Sequence, residues 1–300
     1  MSAAGSARAP ASPSSIRWTV AGAVATPDTL QVRVAPAFHD RVQVGAPIPG
    51  RELTVSEVDA NVRHFTEGMR GPRTQPVRRL VLSGVDSYAH GDELAGAVDR
   101  WRRLGVESLV AHVGATGAKT FGASPLGLAT DRVVVTVGRV DDEVLGALSS
   151  LPLGGVEVAV SLTDDVRGGL EPLVRVLRGQ APRALAWVWP FPGLGVEAPP
   201  RASEVVGDLE RAGALDLPGA RLVHVPPCQD PRRDLGTRWR TRNRYYVDAE
   251  HQQGDALLFF PELVRLAKPD SCRFCRADLS CDGVASAWLE QGRTGPLEPM

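Results

Sequence analysis

The sequence predicts an α/β protein in which parallel strands joined by helices form a barrel or an open doubly wound sheet, followed by a cysteine-bearing C-terminal extension. Three observations predict it. Strand-like β-branched runs alternate with segments of helical periodicity along most of the chain. At 300 residues and 43% hydrophobic, there is apolar material for one large domain with an appendage, or for two modest cores. All four cysteines fall in the last quarter of the chain.

Residues 1–15 are small and polar with several prolines, too poor in apolar groups to offset the entropy of ordering, and read as a disordered tail. IRWTVAGAV, from Ile16, and LQVRVAP, ending at Pro36, read as strands, and PAFHDRVQVGAPIPG as the loop after them. TVSEVDANVRHFTEGM is a helix capped by Thr54 or Ser56, with Glu57 in its first turn and Val55, Val58, Val62 and Phe65 near helical spacing. VRRLVLSGV is a buried strand running into the loop SGVDSYAHGD, and DELAGAVDRWRRLG is a helix closed by Gly105. The unit then repeats. ESLVAHVGA, RVVVTVG, GVEVAVSL, RALAWVWPF and ARLVHVP are strands, and DDEVLGALSSL, GLEPLVRVLRG and SEVVGDLERAGALD are helices. Parallel strands carry their sites at the carboxyl ends, which places PAFHD, SGVDS, HVGATGAKTF, WPFPGLG and Cys228 on one rim. Three regions follow: the tail 1–15, a parallel-sheet region 16–222 and a C-terminal region 223–300.

The formal charge of −1 gives no global attraction to nucleic acid or anionic lipid, so nucleic acid is not an expected partner. No apolar run approaches the length of a membrane span, and MSAAGSARAPASPSS has no secretory apolar core. A soluble, cytoplasmic protein with reduced thiols is expected. Basic charge is nearly all arginine, with Lys119 and Lys268 the only lysines, which argues against a Schiff-base or Walker-type lysine.

Cys272 and Cys275 have the two-residue gap that lets neighbouring thiolates turn onto one metal centre, and Arg273 and Arg276 favour the thiolate forms. Cys281 follows after five residues, and Gly283 permits a tight path beyond it. Four thiolates suit tetrahedral zinc or a [4Fe–4S] cluster. Zinc sites usually pair two close doublets, whereas here a lone Cys228 lies 44 residues before a group of three, which favours iron–sulfur. Two disulfides would need an oxidising compartment, and buried unliganded cysteines are the other ordinary reading.

The order of these pieces over roughly residues 28 to 300 resembles the radical SAM superfamily. VLSGVDS stands where such proteins carry a Leu-Ser-Gly-Gly-Glu-Pro stretch. WPFPGLGVEAPPRASEV, a strand ending PPC, then CRFC, five residues, CDGV and a final Pro299 look like the subfamilies with a C-terminal auxiliary cluster. The resemblance implies a partial (β/α) TIM-like barrel and an auxiliary [4Fe–4S] cluster on Cys228, Cys272, Cys275 and Cys281. The family's S-adenosylmethionine-cleaving cluster needs Cys-x3-Cys-x2-Cys after the first barrel strand, and PAFHDRVQVG contains no cysteine. The segment that meets the cofactor's amino group is Gly84, Val85, Asp86 and Ser87, leaving Gly84 and Asp86 as the residues for that contact. The resemblance therefore implies a degenerate member, a pseudoenzyme that keeps the fold and the auxiliary cluster and does not cleave S-adenosylmethionine. It would act beside an active radical SAM enzyme or on a peptide or natural product. Two alternatives remain open: an enzyme of altered chemistry using the cluster or rim acids, and a zinc-stabilised module that binds nucleic acid.

PRRDLGTRWRTRNRYY offers Arg238, Arg240, Arg242 and Arg244, with Arg232, Arg233, Trp239, Tyr245 and Tyr246, as a surface for phosphates, carboxylates or bases, or as a solvated loop. Cationic groups near Cys228 would also offset the charge of a four-thiolate cluster. His39 with Asp40, and His90 with Asp86 and Asp92, are the available acid–base pairs on rim loops. His224 and His251 are candidate ligands or proton donors, or satisfied structural histidines. GATGAKTFG lacks Walker spacing, and Trp187 with Trp189 on one strand reads as core packing.

Overall fold

The computed structural model describes residues 16–19, 27–36, 39–40, 43–44, 50–68, 76–191, 200–232, 243–294, 297 and 300. The chain opens with β1 (Ile16–Thr19), β2 (Thr29–Arg33) and the short pair β3 (His39–Asp40) and β4 (Gln43–Val44). Helix α1 (Val55–Arg63) starts at Thr54, whose side chain accepts from the backbone of Glu57 while Glu57 returns the bond to the Thr54 N–H. This is the capping box that the sequence announces. The repeating units follow as β5 (Arg79–Ser83), α2 (Gly91–Arg103), β6 (Ser108–Gly114), α3 (Ala118–Ala123), α4 (Pro125–Ala129) and β7 (Arg132–Val137). Then come α5 (Asp142–Ser150), β8 (Glu157–Ser161), α6 (Asp164–Arg167), α7 (Leu170–Gln180), β9 (Ala184–Val188), α8 (Ala202–Arg211) and β10 (Ala220–Val223). The remainder is β11 (Tyr245–Val247), β12 (Leu257–Leu258), β13 (Leu266–Pro269), β14 (Val284–Ala285) and α9 (Ser286–Glu290).

Nine strands form the central sheet in the order β10-β9-β8-β7-β6-β5-β2-β11-β12. Every pairing is parallel except β11 with β12. From β2 to β10 each strand lies beside the one before it, which is a single winding, and β11 then returns to the other side of β2. Among the described residues no pairing joins β10 to β11, so closure into a barrel is not shown. The sheet is α/β and mostly parallel, as the alternating pattern requires.

The two faces of the sheet have different fillings. One face, with Leu30, Val32, Leu80, Leu82, Val135 and Val160, packs against the helices in a single core that includes Val58, Leu94, Trp101, Leu148, Leu173 and Leu209. The opposite face forms a second, purely strand-built cluster of Val81, Val110, Val134, Ala159, Ala186 and Val188. Because strand side chains alternate, one strand serves both layers. Trp187 and Trp189 are fully buried in the helix-side core, donating to the carbonyls of Ala214 and Pro200 at 3.2 and 3.1 Å. They are packing residues, in agreement with the sequence reading.

A second sheet of three antiparallel strands runs β1-β13-β14, with Ile16 opposite Pro269 and Leu266 opposite Ala285. The N-terminal strand thus belongs with the C-terminal region, while β11 and β12 belong to the central sheet. Strand pairing crosses the expected boundary at residue 222 in both directions. The tail 1–15 lies outside the described residues. No helix among the described residues is long and apolar enough to cross a membrane.

The small sheet is fastened to the large one through α9. Trp288 is 1% exposed and its indole N–H donates to the carbonyl of Pro190 at 2.7 Å, just past β9. The backbone N–H of Ala202, at the start of α8, donates to Arg293, and Gln229 donates to the carbonyl of Thr294. Trp288→Ala removes the largest of these contacts. It is expected to lower the unfolding free energy by about 3–5 kcal/mol, read as a fall in the denaturant midpoint.

Candidate functional site

After β10 the chain enters a turn at His224, whose φ is +66°, and Pro226 and Pro227 then stiffen the approach to Cys228. Cys228 sits on a single 3₁₀ turn, Pro227–Gln229. From the other direction, β13 ends at Pro269 and passes into the 3₁₀ turn Asp270–Phe274, which carries Cys272. The Cys275 N–H closes that turn on the Cys272 carbonyl at 3.1 Å, and the Cys281 N–H bonds to Ala277 at 2.8 Å. Gly283 follows with φ +88°, and a Cβ there would lie 2.3 Å from the Ala267 carbonyl oxygen, so only glycine turns the chain at this point.

These turns bring all four cysteines to the wall of one partly open cavity of about 30 Å³. Pro226, Pro227, Pro269, Ala277, Val284 and Leu297 supply the apolar lining, and Lys268 and Asp278 the charged part. The four cysteines are half-buried, with no disulfide among them. The Gly283 N–H donates to Cys281 Sγ at 3.3 Å and the Met300 N–H to Cys275 Sγ at 3.5 Å.

Burial pushes the Cys228 thiol up to about 12, and the neighbouring Cys272, Cys281 and Cys275 push it the same way. Cys281 is also raised, by burial first, although the Gly283 N–H and the Lys268 charge act in the opposite direction. Thiols crowded into an apolar cavity resist ionising together unless a cation shares the space. Among the described residues no group of three or more His, Cys, Asp or Glu side chains is arranged to hold a metal ion. The four cysteines share the wall of one cavity without forming such a group among the described residues.

The other expected sites are dispersed. Gly84 takes φ +79° and opens the turn after β5, where Ser87 Oγ donates back to its carbonyl at 3.1 Å. Asp86 accepts the Gly114 N–H at 2.8 Å and lies where a Cβ on Gly117 would be, 2.6 Å from its Oδ2. One carboxylate oxygen of Asp86 thus ties the loop after β5 to the end of β6, and GATGAKTFG folds around a carboxylate rather than an anion from outside. His90 is exposed and bonds Glu93 at 3.2 Å, so the expected partnership with Asp86 and Asp92 is not formed. The imidazole lies at the N-terminal end of α2, where Glu93 is its near neighbour in sequence. For His39 and Asp40 only the backbone of the β3 segment is described. Arg233, Arg238, Trp239, Arg240, Arg242 and Pro299 lie outside the described residues. Arg244 stacks its guanidinium 3.7 Å above the buried Phe259 ring, and Tyr245 and Tyr246 are buried strand residues of β11, not surface aromatics. His224 stacks on Phe191 at 3.9 Å.

Two features escaped the sequence reading. Gln31, Arg33, Ser83, His112, Thr136 and Ser161 are buried along the face opposite the helices, toward the carboxyl ends of β2 and β5–β8. Their signal is a polar residue recurring at alternate positions in otherwise apolar strands. Ser161 Oγ has no hydrogen-bond partner among the described residues. At the same end, buried Asp248 follows β11 and accepts from Arg33 Nη2 at 3.2 Å, while its other oxygen meets His251 Nδ1 at 3.0 Å. His251 is therefore held by a carboxylate rather than by sulfur.

No protein-family model matches the chain, and a search of curated proteins finds no relative.

Burial alone would raise the Asp248 carboxyl, but bonds from the His251 ring and the Glu250 and His251 N–H groups, with the Arg33 charge, hold it below the usual range. A depressed carboxyl stabilises the fold above its unfolded value of about 3.9 and loses that contribution as pH falls through the folded value. Equilibrium unfolding from pH 7 to pH 3 is expected to show wild-type stability falling below about pH 4 more steeply than that of Asp248→Asn, which starts lower and titrates less.

Proposed function

We propose that this chain is an iron–sulfur protein of the radical SAM type, a partial barrel carrying one auxiliary [4Fe–4S] cluster on Cys228, Cys272, Cys275 and Cys281. It acts as an accessory or partner-dependent component in modifying a peptide or natural product, and it does not cleave S-adenosylmethionine. The observation that carries the reading is the meeting of all four cysteines of the chain at one cavity. Cys228 comes from the turn after β10 and the other three from the turns around β13 and β14, so their meeting is not a consequence of nearness in sequence.

The spacing in the sequence, a lone Cys228 lying 44 residues before a group of three, favours a cluster over zinc. A tetrahedral zinc with bonds of about 2.3 Å draws its four sulfurs to within roughly 4 Å of one another. A four-iron cluster gives each sulfur its own iron and stands between them. Four cysteines on the wall of one cavity can each take such a place. When bound, such a cluster supplies a site that stores and passes single electrons. The chain's own part is to present the thiolates, to donate the Gly283 and Met300 N–H groups to sulfur, and to keep water from the inner wall with prolines and valine.

The strand order supports the barrel part of the reading. A single winding from β2 to β10, helices on one face and β11 returned to the far side of β2 follow the sequence of neighbours in a parallel barrel left open at one seam. The loss of S-adenosylmethionine cleavage is supported by the cysteine-free stretch after β2 and by the engagement of Asp86 with Gly114.

Protein isolated without oxygen is expected to be brown, with about four irons and four sulfides per chain and absorption that bleaches on reduction. Colourless protein with one zinc per chain overturns the reading. Cys272→Ser should lose most of the iron while the far-ultraviolet circular dichroism stays unchanged. Calorimetry with S-adenosylmethionine should give no heat of binding, and micromolar binding would reinstate the cofactor site.

A further inference from the structure

We infer that Lys268 is the charge partner of the cysteine cavity, a buried ammonium that positions positive charge beside the four sulfurs and raises the reduction potential of the cluster they hold. The inference rests on the iron–sulfur reading above and adds to it a residue and a direction.

Lysine is rare in this chain: of 34 basic residues only Lys119 and Lys268 are lysines, and Lys119 is exposed on α3. Lys268 is 7% exposed and lines the cavity together with the four cysteines. Burying an ammonium is costly unless it is paired. Its Nζ donates to the Asp278 carbonyl at 2.5 Å and to Asp278 Oδ1 at 3.1 Å, within the turn that links Cys275 to Cys281. An ammonium has three hydrogens, so one donor remains beyond those two. The position is also held from behind, because a Cβ on Gly283 would come 2.9 Å from Lys268 Cγ.

An arginine at this place would spread its charge over a planar fork, whereas the ammonium is a compact point charge that fits between β13 and the cysteine turn. Reduction adds one electron from an external donor to a thiolate-ligated cluster and makes it one unit more negative, with no proton taken up. A nearby positive charge stabilises the more negative form by more than the less negative one. The ammonium therefore favours the reduced state. A plain structural role, pinning the turn to β13, would need the same hydrogen bonds but would leave the electron equilibrium unmoved when the charge is removed and the iron is retained.

The test uses the full chain, reconstituted with iron and sulfide without oxygen and titrated with dithionite in an optical electrochemical cell. Lys268→Met is expected to make reduction about tenfold less favourable, a fall of roughly 59 mV for a one-electron couple, with iron content retained. Lys268→Arg should restore most of that loss. A Lys268→Met protein that keeps its iron and its potential overturns the inference. If Lys268→Met cannot hold iron, Asp278→Asn decides: removing the carboxylate leaves the ammonium's field less offset, so the potential should rise, and an unchanged potential overturns the inference. Wild-type protein that takes up no iron removes the iron–sulfur reading itself, a result visible before any variant is prepared.

Discussion

The four cysteines depend on one piece of packing, the seating of Trp288 against the carbonyl of Pro190. Cys228 is delivered by the central sheet and the other three by the small sheet, and these sheets share no strand. Their thiols can face each other only while α9 holds the small sheet against the ends of β9 and β10. The indole is buried there and its N–H donates to the carbonyl. The side-chain bond from Gln229, next to Cys228, to Thr294 repeats the same constraint nearer the cavity.

Much of the central sheet was legible because hydrophobic periodicity is a local signal. The strands from β5 to β10 and the helices α2, α5, α7 and α8 fall where alternation and helical spacing put them, whereas the short α3, α4 and α6 do not read as helices in the sequence, and the Thr54–Glu57 box marks the start of α1. The clustering of the cysteines was legible too, since their restriction to one part of the chain needs no structure to see. Pairing partners were not legible. IRWT reads as a strand, yet nothing in those residues says that Ile16 lies opposite Pro269. RYY reads as part of a cationic loop, and only the neighbouring edge of β2 converts it into buried β11. Short strands of two or three residues carry too few alternations to announce themselves.

Polar residues inside apolar strands were passed over for a related reason. His112 in VAHVG and Ser161 in VAVSL look like tolerated interruptions of buried strands. On the sheet they stand in register along one face, Ser83 beside His112, and Ser161 beside Val188. A column of polar groups on a face without helices appears only when separate strands are laid side by side. His90 shows the opposite error. A rim position suggested acid–base work with Asp86, but an i,i+3 neighbour on the same helix takes the imidazole and Gly114 takes the carboxylate.

The antiparallel match of Thr19 with Leu266 joins residues 247 positions apart. At about 5–20 residues per second, a ribosome needs roughly 12 to 50 s between making the first and releasing the second. Throughout that interval β1 has no partner edge, and positions 1–227 supply no cysteine. The four-cysteine set is therefore complete only once Cys281 has been made, 53 residues after Cys228.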